Sequence, residues 1–109
     1  LKVSGKGTEK IENKSGVSGN VTLDVADGTI QTMSISGNVT QLTITMDNGE
    51  FMKLKIESVG TNTIAWPSGM YWVFGAEPSL HATNANWVQV WKQGGDLYGS
   101  YVGFTADAP

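Results

Sequence analysis

The sequence predicts an all-β domain: a small antiparallel β-sandwich, jelly-roll-like, of about eight strands. Apolar residues recur with period two, and no stretch carries them at i, i+3, i+4 and i+7 over three turns. Turn-forming residues fall where the alternating runs stop. The composition is weighted toward Gly, Thr, Ser, Asn and Val, with helix formers scarce. At 109 residues the chain is long enough for a single core.

The first expected strand is Val21 to Val25, where Val21, Leu23 and Val25 alternate with Thr22 and Asp24. Asp27-Gly28 separates it from a second, about Thr29 to Ser36. In the third, Leu42, Ile44 and Met46 alternate with Thr43 and Thr45. Asp47-Asn48-Gly49 then leads to a fourth, where Met52, Leu54 and Ile56 alternate with Phe51, Lys53, Lys55 and Glu57. Each run places oily side chains on one sheet face and hydroxyls or charges on the other. Both turns offer residues that tolerate φ > 0, as tight hairpins require.

Asn62 to Trp66 reads as a fifth strand, stopped by Pro67, which lacks a ladder donor. Met70 to Phe74 is a short apolar sixth, closed by Gly75, and an irregular stretch follows to Asn84. Asn86 to Lys92 and Leu97 to Val102 flank a turn at Gln93-Gly94-Gly95-Asp96. Residues 1–15, rich in Lys, Gly and Glu, read as a linker or N-terminal arm, and residues 16–109 as the single sandwich domain. With no initiator Met and no apolar leader, the chain reads as a domain of a longer protein or a processed product. Ser18-Gly19-Asn20-Val21-Thr22 recurs eighteen positions later as Ser36-Gly37-Asn38-Val39-Thr40, an echo that duplication or two similar strand approaches would both produce.

Charge and composition narrow the function. The net charge is -3 and all seven basic residues are Lys, so no guanidinium fork is present to read bases or clamp phosphates. Nucleic acid is therefore not an expected partner. The longest apolar run, Met70 to Phe74, is far short of a helical membrane span, and no membrane insertion is expected. The absence of Cys removes disulfides, thiolate metal sites and cysteine nucleophiles.

Catalytic signals are weak, and no enzymatic activity, cofactor or metal is expected. His81, the single histidine, has no Asp or Glu close in sequence to orient it and reads as a loop residue. Asp47-Asn48-Gly49-Glu50 resembles a fragment of a calcium loop but lacks the spaced ligands, and a hairpin turn explains it. Asn13, Asn20 and Asn38 begin N-glycosylation patterns, which an Asn- and Thr-rich chain produces by chance.

The aromatic residues carry the most information. Trp66, Tyr71, Trp72, Trp87, Trp91, Tyr98 and Tyr101 all follow residue 65. Alternation over Asn86 to Lys92 puts Val88 and Val90 on one face and Trp87, Gln89 and Trp91 on the other. If the valines are core, the indole face is a second buried layer, a subunit interface or a platform for sugar rings. The candidate binding residues are Trp87, Gln89, Trp91, Trp72 and Tyr71.

Thr63-Ile64-Ala65-Trp66-Pro67-Ser68-Gly69-Met70-Tyr71-Trp72, followed by Gly75-Ala76-Glu77-Pro78-Ser79-Leu80, resembles a pattern recurrent in bacteriophage virion proteins, mainly the C-terminal domains of tail fibres. Gly19 to Asp24, Ser36 to Ile44 and the segment Trp91 to Gly99 fit the same pattern, so the likeness covers about Gly16 to Gly103. Val73-Phe74 departs from it, because a smaller or more polar pair is commoner there. The resemblance implies a non-enzymatic β-sandwich on a virion surface, often a homotrimer, touching other virion proteins and a host glycan or protein. Two other roles fit the same residues: a capsid or tail decoration (cement or head spike), and a carbohydrate-binding module of a secreted enzyme.

Overall fold

A computed structural model describes residues 10–106 of the chain. Among them are eight strands: β1 (Ile11–Val17), β2 (Asn20–Asp24), β3 (Ile30–Ile35), β4 (Gln41–Thr45), β5 (Phe51–Glu57), β6 (Tyr71–Trp72), β7 (Ala85–Gln93) and β8 (Asp96–Thr105). Among the described residues, helix is confined to two three-residue 3-10 turns, Val25–Asp27 and Val73–Gly75. The protein is mostly β, with a six-stranded sheet ordered β1-β3-β5-β7-β8-β6 and a two-stranded sheet of β2 and β4.

The expected antiparallel meander is not how the first half pairs. β1 pairs β3, β3 pairs β5 and β2 pairs β4, all parallel. The chain therefore coils, passing from the large sheet to the small one and back, and each turn stacks on the last. Antiparallel pairing is confined to β5–β7 and β7–β8. Asp27-Gly28 and Asp47-Asn48-Gly49 are corners of this coil rather than hairpins. At the first, Asp24 Oδ1 accepts from the Ala26 amide (2.9 Å) and holds the chain in a 3-10 turn. Gly28 then runs so close to β1 that a Cβ there would sit 2.7 Å from the Lys10 carbonyl oxygen. At the second, the Glu50 amide donates to the Asp47 carbonyl, and the corner docks on the β7–β8 hairpin through Gly49 N–H to the Lys92 carbonyl and Gly95 N–H to Asn48 Oδ1.

Two expected elements change. Asn62 to Trp66 forms no full strand: Val39 and Ile64 make an isolated parallel bridge, and the Leu42 amide donates to the Ala65 carbonyl at the free edge of β4. Conversely, the expected arm over 1–15 is in part β1. The rest of that segment, residues 1–9, lies outside the described residues.

The repeated pentapeptide occupies one corner in successive turns of the coil. The Ser36 amide donates to the Val17 carbonyl, the Gly19 amide to the Asn38 carbonyl, and Gly37 lies against the Ser18 side chain. Beyond that corner the register opens, so that Val21 faces Leu42 rather than Val39.

A single core joins both sheets. Leu23, Leu42 and Ile44 come from the small sheet, and Met33, Met52, Leu54, Ile56, Val88 and Val90 from the large one. Removal of these side chains from water is the main term holding the coil closed. Two polar side chains are wholly buried among them. Gln31 Nε2 donates to the Asp24 and Gly28 carbonyls (2.8 and 2.9 Å) and so braces the first corner. Asn86 accepts from the His81 amide and the Tyr101 hydroxyl (both 2.7 Å) and donates to the His81 carbonyl, which ties the irregular stretch to the last hairpin.

Candidate functional site

The outer face of the large sheet collects the aromatic residues. Val88 and Val90 are fully buried, and alternation leaves Trp87 and Trp91 half-buried and Gln89 exposed on the opposite side of β7. The same rhythm on β5 buries Met52, Leu54 and Ile56 and turns Phe51, Lys53 and Lys55 outward. Register then joins the two strands: Phe51 faces Trp91, Lys53 faces Gln89, and Lys55 faces Trp87. Across β8 and β6, Trp91 is level with Tyr98, and Tyr98 with Tyr71. Four aromatic side chains thus stand in one row across four strands.

Within the row, Trp91 stacks on Tyr98 with ring centroids 5.8 Å apart and planes 11° from parallel. Tyr98 stacks in turn on Tyr71 at 5.4 Å. These rings occupy one another's faces. The unstacked face of Trp91 is on the β5 side, where an open cleft of about 330 Å³ is lined by Phe51, Lys53, Gln89 and Trp91, with Met52 and Val90 beneath. A second cleft of about 300 Å³ shares Phe51 and Trp91 and continues past Glu50 and Lys92 to the β7–β8 turn. Trp87 sits apart from the row, with Lys55 Nζ 5.5 Å from its ring centroid and its indole N–H donated to Thr105 Oγ1 (3.3 Å).

Of the five candidate residues, Trp91, Gln89 and Tyr71 share this surface with Trp87 at its margin, and Trp72 does not. Trp72 pairs with Gly99 on the core side and meets Trp66 edge-to-face at 4.9 Å. Gly99 makes room for it, since a Cβ there would lie 2.7 Å from the Trp72 ring. Phe51 and Lys53 complete the cleft and were not among the candidates. Their signal is legible in the sequence, because Phe51 and Lys53 are out of phase with the buried side chains of β5, as Trp87 and Trp91 are with those of β7. Val73 and Phe74 lie in a 3-10 turn beside β6, with Phe74 fully exposed at φ 69°.

His81 is used as a loop pin. Its Nδ1 accepts from the Thr83 and Asn84 amides (3.2 and 3.0 Å), and its ring stacks on Phe104 at 4.3 Å. Among the described residues, no group of three or more His, Asp or Glu side chains is placed to hold a metal ion.

No protein-family model matches the chain, and neither the curated proteins nor the solved structures compared with it give a match.

Proposed function

We propose that the chain is a non-enzymatic surface domain of a bacteriophage virion, a tail-fibre or appendage tip that takes part in host attachment and works as a homotrimer. The observation that carries this reading is the aromatic row on the outer face of the large sheet. Phe51 is 62% and Tyr71 56% exposed on a chain otherwise rich in hydroxyls and amides, and such patches mark contact surfaces. The likeness of residues Gly16 to Gly103 to tail-fibre C-terminal domains supplies the biological setting. We read the two sheets as facing layers of a sandwich, a reading supported by the core residues they share. Repetition on a particle suits a modest site, because copies held together turn weak contacts into firm attachment.

The experiment is immunogold labelling of phage particles with antibodies against the chain, combined with an adsorption assay. Label at appendage tips and slowed adsorption are the expected result. Label on the capsid lattice without an effect on adsorption points instead to the decoration role, and particles without label overturn the virion assignment.

A further inference from the structure

We infer that the cleft between Phe51 and Trp91 binds an oligosaccharide bearing a carboxylate, with Lys53 as the counter-ion. The inference rests on the outer face being a contact surface and names the ligand class it takes. A pyranose has an apolar C–H face and a polar rim, so it needs an aromatic wall beside hydrogen-bonding side chains. The cleft supplies both: the unstacked face of Trp91 and the exposed ring of Phe51 are the walls, and Gln89, exposed and across from Lys53, lines the same cleft.

Charge selects the acid. Lys53 is exposed on the cleft margin, directly across from Gln89, in a chain of net charge -3. Among the described residues, Lys55 is paired with Glu57 (3.3 Å) and Lys14 with Glu12 (3.9 Å), whereas Lys53, like Lys10 and Lys92, has no carboxylate within ion-pair distance. The Lys53 ammonium beside this aromatic slot is complementary to a single carboxylate on a sugar ring. It does not form the continuous basic track that a nucleic-acid backbone requires. The second cleft extends the same walls past Glu50 and Lys92 and gives room for a further, neutral sugar unit, with the carboxylate held at the Lys53 end.

The test is a titration of the isotope-labelled 109-residue chain with sialyllactose, with lactose as the matched neutral sugar and hexathymidylate as a non-sugar anion. The expected result is movement of the Gln89 side-chain amide and the Trp91 indole N–H, with sialyllactose binding at least about fivefold tighter than lactose. Lys53→Gln brings the two sugars level, and Phe51→Ala weakens both more than about tenfold. Both replaced side chains are exposed, so the variants keep the dispersed amide spectrum of the parent, and Phe104→Ala, remote from the cleft, binds as the parent does. Equal binding of lactose and sialyllactose, indifferent to Lys53→Gln, overturns the acidic ligand and leaves the contact face standing. Tighter binding of hexathymidylate overturns the saccharide class. Dissociation of a self-associated form by Phe51→Ala, with no response to either sugar, gives the cleft to a second copy of the chain and overturns the inference, while labelling of particles judges the virion role separately.

Discussion

At the scale of single residues, the junction at Asn86 shows how a buried amide can organise a segment without regular structure. Its oxygen takes the Tyr101 hydroxyl and the His81 amide, and its nitrogen reaches the His81, Asn84 and Ile56 carbonyls. Burial pushes the Tyr101 phenol above its ordinary value of 10.0, because the anion would lose its hydration there. A raised phenol means that the unfolded chain releases its proton first. The stabilisation is therefore complete below the unfolded value and is lost as pH climbs from near 10 through the higher folded value. Tyr101→Phe should cost about 1 kcal/mol at neutral pH, from the hydroxyl bond lost at Asn86. The same variant should flatten the alkaline fall in stability, as measured by urea denaturation at pH 8 to 11. A parallel fall in both proteins would show that Tyr101 does not carry the linkage. None of this network was legible in the sequence, because Asn86 stands five residues from His81 and fifteen from Tyr101 with no repeating pattern to link them.

At the scale of elements, alternation shows which faces are buried but not which strands pair. Leu42 and Ile44, Met52, Leu54 and Ile56, and Val88 and Val90 all point inward as their rhythm requires. Partners were hidden because Asp-Gly and Asp-Asn-Gly supply the same permissive backbone to a coil corner as to a hairpin. β1 was hidden for a different reason. It is an edge strand whose inward positions hold Glu12 and Lys14, level with the buried Gln31 and Met33, while Ile11 turns outward. Inward charges at an edge break the alternation and also deter another strand from adding there. Glu12→Val combined with Lys14→Val should therefore raise self-association, seen as a concentration-dependent rise in weight-average mass by sedimentation. A doubly substituted chain with the sedimentation of its parent would assign the protection to some other feature.

At the scale of the whole molecule, the sequence announced an indole face on β7, but the cleft needed β5 beside it. Phe51 and Trp91 are forty residues apart and meet only because β5 closes the coil and β7 pairs antiparallel against it. The homotrimer proposed above belongs to this scale. If three copies assemble, folding and association are linked, and the thermal midpoint should rise with protein concentration. A midpoint independent of concentration, in a chain that sediments as a monomer, would remove the trimer. In the large sheet β1 pairs β3 and β3 pairs β5, so a turn gained or lost before β5 would displace the β1 edge by about one strand spacing, roughly 4.8 Å. The aromatic row would be carried along unaltered, so the number of turns sets how far the β1 edge stands from it.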